Sequence, residues 1–383
     1  MISVKQDVVI RKTRVIFLDL IRAFAVFMMV QGHTIDSLLM DKYRSDIYPV
    51  FSIWNFFRGL NAPIFIFTSG AVFTYLFLKD GHNFSENPRV KKGIKRFFLL
   101  ITVAYFLHFP TNNPLNYNEI SLAQYYIFLR VDALHLIAVG ILSIILILFL
   151  IEKFKLNPYY TFIAAGVISL ILSIWTLKIE WANFLPLPLA FYLYFGPKND
   201  FAVYSLFPIF PWLTYIFAGA FLGVFLAKHP KIFKTKWFGI KIVLIGISFI
   251  IISLISIMIE NSIKGYNTFW DNPFLVINRL GIVLFFSGII TLLTLRTDKI
   301  PRIIVLAGQN TLLIYVVHLI IIYGSPFTLG FDYLLHHRLT PIPSILIAII
   351  MLFLMGLMVH LLDKFKPKYK LLKEKFLKFH KEN

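Results

Sequence analysis

The sequence has no cysteine among its 383 residues. Disulfide bonds, cysteine-ligated zinc and a catalytic thiolate are therefore excluded, and so is an acyltransferase that carries its acyl group on cysteine. Charge is also scarce, because 15% of the residues are charged, against about 25% in soluble proteins. A chain with so few charged residues is unlike a protein that is surrounded by water on all sides.

Apolar residues are abundant instead: they make up 58% of the chain, with 41 Phe, and the mean hydropathy is +0.76. About ten apolar segments are long enough to cross a bilayer. They lie near 15–35, 57–78, 94–110, 131–151, 159–178, 205–227, 239–259, 273–295, 302–323 and 342–362. The sequence therefore predicts an all-α fold, a polytopic membrane helix bundle of about ten transmembrane helices.

Lys and Arg are distributed unequally between the predicted loops. With the N-terminus in the cytoplasm, 28 of the 38 fall in inside segments, as the positive-inside rule requires. We therefore expect both termini to be cytoplasmic and the protein to be a multi-pass protein of the cell (cytoplasmic or inner) membrane. This topology also accounts for the net charge of +19, so no nucleic-acid partner is predicted. The predicted regions are a cytoplasmic N-terminus, 1–14, a transmembrane domain, 15–362, and a basic amphipathic cytoplasmic tail, 363–383.

The first apolar segment is the best functional lead, because it contains ionisable side chains. Arg22 and His33 are 11 residues apart, which is three helical turns plus roughly 20°, so they share a helix face about 16 Å apart along the axis. Asp19 and Asp36 flank them on nearly the same stripe. Each ionisable group costs about 2.5–3.5 kcal/mol in hydrocarbon, so this face should be directed into a protein interior or a wet cavity.

Other polar side chains are predicted at the depth of His33, near the outer ends of their segments. We expect them to meet in one site, as inward-facing side chains of helix bundles do. Simpler roles remain open: a helix cap for Asp132, an interfacial position for Arg58 and hydrogen-bonded packing for His318. The set comprises Arg58, Asn61, Asp132, His135, Arg279 and His318.

Soluble-enzyme motifs are missing. The sequence has no P-loop, no nucleophile elbow, no H-E-x-x-H and no dinucleotide fingerprint. No metal is predicted, because no ligand spacing supports one. On the inner side, Gly308-Gln309-Asn310 follows a basic stretch that could bind cofactor phosphates, although topology alone explains those charges.

Five stretches of the chain, in order, resemble the heparan-α-glucosaminide N-acetyltransferase-like proteins and the related acyltransferase-three proteins. The first, L-D-L-I-R-A-F-A-V-F-M-M-V-Q-G-H, spans residues 18–33. The others are R-G-L-N-A-P-I-F-I-F-T-S-G (58–70), V-D-A-L-H-L-I-A-V-G (131–140), F-P-I-F-P-W-L-T-Y-I-F-A-G (207–219) and G-Q-N-T-L-L-I-Y-V-V-H (308–318).

The resemblance implies a membrane enzyme that takes an acyl group, usually acetyl, from cytoplasmic acyl-CoA. It would pass the group to a hydroxyl or amine of a sugar or glycan acceptor at the outer face. The catalytic His of the first segment carries onto His33 and the nearby Arg onto Arg22, although the usual Arg-Gly pair is Arg22-Ala23 here. Acetyl-CoA is then the co-substrate, and the lipid bilayer surrounds the protein. The oligomeric state stays open, a homodimer included.

Acyl transfer needs a base and groups that stabilise an oxyanion. Our hypothesis makes His33 the base, oriented by Asp36 or Asp132, with His135 sharing that role. Oxyanion and substrate binding are assigned to Arg58, Asn61, Arg279 and His318, and cofactor binding to Arg22, Gln309 and Asn310.

Two other functions fit parts of the sequence. A transporter or flippase for a lipid-linked or anionic substrate would also need intramembrane Arg and His, but paired interrupted helices in two halves are not evident. A structural membrane subunit would leave Arg22 unexplained.

Overall fold

A computed structural model describes residues 15–111, 120–194, 205–264, 272–296 and 300–382. Helices dominate these residues, which confirms the predicted all-α fold, and the strands are the two-residue β1 (Gly324–Ser325) and β2 (Thr328–Leu329) of one hairpin. The α-helices are α1 (Ile16–Leu38), α2 (Pro49–Arg58), α3 (Asn61–Leu78), α4 (Pro88–Leu107), α5 (Leu122–Leu129), α6 (Ala133–Lys153), α7 (Pro158–Thr176), α8 (Leu187–Ala190), α9 (Ile209–Lys228), α10 (Lys236–Lys264), α11 (Pro273–Arg296), α12 (Arg302–Gln309), α13 (Thr311–Tyr323), α14 (Asp332–Leu335) and α15 (Pro341–Glu382).

Eight helical stretches of the described residues are long and apolar enough to cross a membrane, and the bent pair α12–α13 brings the number to nine. All ten predicted segments are helical. The segment 94–110 is the one that is not among these nine. It corresponds to α4, whose first half carries Lys91, Lys92, Lys95 and Arg96 and is therefore less apolar than the other helices. The chain is a multi-pass membrane protein.

The predicted continuous segment 302–323 is broken. Its two halves, α12 and α13, are bent by 80°. Asn310, between them, has the non-helical angles φ −108° and ψ 31°, and its side-chain Nδ2 donates to the Leu306 carbonyl at 2.8 Å. Such a side-chain bond to the backbone competes with helix continuation. The depth of His318 therefore cannot be counted along a straight helix from Arg302.

The chain divides into two compact units, and each is described by itself. The first contains residues 1–58, 298–323 and 330–383. In this unit α1 is the central helix, since it packs against α12, α13 and α15, and Leu18, Ile21, Ala25 and Val30 are fully buried. At the C-terminal end of α1, the backbone of Leu38 and Met40 bonds to that of Leu339.

The second unit contains residues 59–297 and 324–329. Two of its helix pairs, α10 with α11 and α3 with α9, pack closely, and small residues let their backbones approach, as in other membrane helix pairs. A Cβ at Gly219 would overlap the carbonyl oxygen of Phe67. The stretch after α7 forms short helical turns at Trp181–Asn183 and Leu187–Ala190. Ala190, Phe191 and Tyr194 pack there against Leu129 and Val131. Residues 195–204 lie outside the described residues.

Candidate active site

The first unit places the polar side chains of the lead segment on one unbroken helix, α1. The helix runs from Ile16 to Leu38, so the predicted face shared by Arg22 and His33 is preserved. Asp19 and Gln31 are buried. The energetic cost of polar groups in an apolar helix is thus met by burial in protein at these positions.

His33 is partnered by a second histidine, His318 of α13. The two ring centroids are 5.5 Å apart, with the planes tilted by 42°. The ring of Tyr323 stands edge-on to His33 at 6.1 Å, and that of Tyr315 stands edge-on to His318 at 5.9 Å. The structure therefore brings together two residues that the sequence placed in separate segments.

The tautomer of His318 follows from its hydrogen bond. Its Nδ1 lies 2.7 Å from the carbonyl oxygen of Ile314, and because a carbonyl oxygen can only accept, Nδ1 carries the proton. The lone pair is then on Nε2, which is buried and has no hydrogen-bond partner among the described residues. His318 is fully buried, whereas His33 is partly exposed. The pair thus offers one accessible imidazole and one held in a fixed orientation.

Asp36 is bound by arginines. Its Oδ1 lies 2.7 Å from Arg44 and 2.6 Å from Arg58. Arg44 also donates to the Asp36 carbonyl at 2.6 Å, and the Arg58 guanidinium lies over the ring of Trp54, 5.2 Å from its centroid. Trp54 in turn donates to Gln31 at 2.7 Å. Asp36 therefore ties α1 to α2 through Arg58.

The N-terminal half of α1 packs tightly against α12. A Cβ at Gly308 would overlap the carbonyl oxygen of Asp19, so only glycine permits this approach. Gln309 ends α12 and Asn310 forms the break before α13. The predicted cofactor residues Gln309 and Asn310 therefore belong to a segment held against the turn of α1 that precedes Arg22.

The second unit assembles a different centre around Asp132 and His135. Asp132 caps α6, because its Oδ1 accepts from the backbone N–H groups of Leu134 at 2.8 Å and His135 at 3.0 Å. The cap proposed as the simpler role of Asp132 is thus present. The same Oδ1 lies 2.8 Å from His135 Nδ1. The backbone N–H of Asp132 also lies 3.2 Å from Nδ1. The contact with the carboxylate is the shorter of the two, and a carboxylate oxygen can only accept, so it places the proton on Nδ1 and the lone pair on Nε2, which is buried without a partner among the described residues.

Aromatic side chains surround His135. Tyr105 stands edge-on at 4.6 Å and Tyr192 at 6.1 Å, while the ring of His108 is nearly parallel at 6.3 Å. Burial, together with Tyr105 and Asp132, raises the pKa of the Tyr192 phenol, which therefore remains protonated. Sequence reasoning missed His108, because a neutral residue at the end of an apolar segment gives no signal of its own.

The other two predicted residues of this unit lie elsewhere in it. The Arg279 guanidinium is 5.9 Å from the centroid of the Trp212 ring, a cation–π contact. Asn61 is the first residue of α3, and its buried Oδ1 has no partner within the described ranges. The expected set is thus distributed over both units, with His33, Asp36, Arg58 and His318 in the first and Asn61, Asp132, His135 and Arg279 in the second.

Long apolar helices that bury two histidines, His135 and His318, and the carboxylate of Asp132 define a polytopic membrane protein with ionisable side chains in its interior. The family model for heparan-alpha-glucosaminide N-acetyltransferase, catalytic, matches residues 14–259, more than half of the chain. The chain belongs to this family and is a membrane acetyltransferase. The match includes Arg22, His33, Asp132 and His135, while the resembling stretch 308–318 lies beyond it. No protein of curated function matches the chain.

Proposed function

We propose that the protein moves an acetyl group from cytoplasmic acetyl-CoA to a hydroxyl or amine of a sugar-containing acceptor at the outer face of the cell membrane. One observation carries the proposal. His33 is on α1, the helix that also contains Arg22, and it lies beside the fixed, buried ring of His318 on α13. A base near the outer end and a cation about 16 Å deeper suit a reaction with a donor and an acceptor on opposite sides.

His33 acts as the general base, since imidazole accepts protons near neutral pH. The acceptor oxygen or nitrogen attacks the thioester carbonyl carbon while its proton passes to His33. The C–S bond then breaks, the sulfur leaves as a thiolate, and His33 returns the proton to give free CoA thiol. The fixed ring of His318 confines His33 to one orientation. Arg58 binds Asp36, three residues after His33, and from there it is assigned to the binding of acceptor groups.

Arg22 supplies positive charge at the cofactor side, with Gln309 and Asn310 at the break between α12 and α13 as hydrogen-bonding partners of acetyl-CoA. Asn61 and Arg279 are candidate oxyanion donors. Each role is assigned from residue type and position, and each can be tested separately by substitution.

Thiol release separates this enzyme from a transporter. Purified protein in lipid nanodiscs, given acetyl-CoA and a panel of amino sugars and glycans, should release thiol only when a suitable acceptor is present, with acetyl label recovered on that acceptor. A transporter or flippase would instead exchange labelled substrate across sealed vesicles without any thiol appearing. Thiol release without labelled acceptor would show hydrolysis rather than transfer.

A further inference from the structure

His108, Asp132 and His135 form a cluster inside the second unit. One potential ligand atom of each lies within 4.8 Å of those of the other two. His108 follows the end of α4, and the other two residues open α6. Two imidazoles and a carboxylate from separate elements therefore converge, although 24 residues separate His108 from Asp132 in sequence.

Helix capping explains only part of this cluster. The cap uses Asp132 Oδ1, which also holds His135 Nδ1. It leaves His108 Nδ1 and His135 Nε2 buried without hydrogen-bond partners among the residues described. A buried unsatisfied polar atom costs about 1–3 kcal/mol, and two in contacting rings call for a ligand that accepts lone pairs.

We propose that this cluster binds one divalent transition-metal ion of the zinc type. Two imidazole nitrogens and one carboxylate oxygen suit zinc and its neighbours, whereas Mg²⁺ and Ca²⁺ prefer all-oxygen sites. With all three residues as ligands, a fourth position is left open. Adjacent ligands of tetrahedral zinc are roughly 3.3 Å apart, given bonds near 2.0–2.1 Å. Closing the 4.8 Å spread therefore needs shifts on the order of 1 Å.

His135 can meet the ion in two ways. Through Nε2, the ion has the two histidines as its protein ligands, and Asp132 stays behind Nδ1 as an outer carboxylate, an arrangement common at zinc sites. Through Nδ1, the ion takes the place of the proton now shared with Asp132, and that proton is released. In both cases Tyr105 and Tyr192 form aromatic walls that limit the access of water.

Metal content tests the proposal without any activity assay. The full chain, expressed in zinc-supplemented medium and purified in detergent without chelator, should hold about one zinc per chain by mass spectrometry. Cobalt exchanged into the site should give visible ligand-field bands. His108→Phe, which keeps an aromatic ring, and His135→Phe should each lose the stoichiometric ion, and Asp132→Asn should weaken binding about 10- to 100-fold.

His229→Ala is the matched control, because His229 is an exposed histidine of the same unit and should leave zinc content unchanged. Elution volume and thermal unfolding establish that each variant is folded. A wild type without stoichiometric zinc or cobalt would overturn the proposal, and so would a folded His108→Phe with the zinc content of wild type. A wild-type protein that holds zinc but transfers no acetyl group would count against the proposed function alone.

Discussion

Replacing His33 with alanine should lower the rate of acetyl transfer about 100- to 10,000-fold, the range that a positioned general base contributes. The variant should still bind acetyl-CoA, because the proposed cofactor residues lie deeper in the membrane. The measurement is thiol release at saturating acetyl-CoA and acceptor, with kcat and KM determined separately. We expect the loss in kcat.

His82→Ala is the control for this result. His82 is an exposed histidine between α3 and α4, so its removal should leave the rate within a factor of two. His33→Gln serves if the alanine variant does not fold, since it keeps a polar side chain of similar length without a base. A folded His33 variant with wild-type kcat would remove His33 from the mechanism.

Replacing Gly308 with alanine should have the largest effect on folding. The added Cβ would overlap the backbone carbonyl oxygen of Asp19, and a backbone atom cannot rotate away as a side chain can. Helix α12 would have to move off α1, which takes the proposed cofactor residues with it. We expect a loss of several kcal/mol, typical of severe overpacking, seen as poor accumulation or a much lower Tm in detergent.

Gly356→Ala is the matched control. It is the same change in a helix, α15 of the same unit, but nothing lies within 4 Å of the new Cβ. Alanine favours helix over glycine by about 1 kcal/mol, so this variant should be as stable as the wild type or slightly more. Equal Tm values for the two variants would show that α1 and α12 do not pack as described.

The helices could be predicted from the sequence because hydropathy and helical length are local properties. The first segment, expected at 15–35, is Ile16–Leu38, and its polar face needed nothing beyond helical geometry. The break at Asn310 was missed, since the apolar run 302–323 continues through it. Gly308-Gln309-Asn310 was the only local sign, and it was interpreted as a cofactor segment rather than as a bend.

The contacts of the site could not be predicted in the same way. Asp36 or Asp132 was expected to orient His33, and nothing in the sequence indicated that Arg44 and Arg58, eight and 22 residues beyond Asp36, bind the Asp36 carboxylate. His108 reaches His135 only through tertiary packing. Which acid pairs with which base is decided by distance in the folded protein, and the sequence contains only the candidates.

In the proposed reaction, the face of α1 connects a cytoplasmic donor with an outer acceptor. Sealed vesicles of one known orientation test it most directly, with acetyl-labelled CoA only on the Lys- and Arg-rich side and acceptor only on the other. Labelled acceptor should appear in the second compartment, and an equal amount of free thiol should stay in the first. Label that appears only when donor and acceptor share a compartment would contradict it.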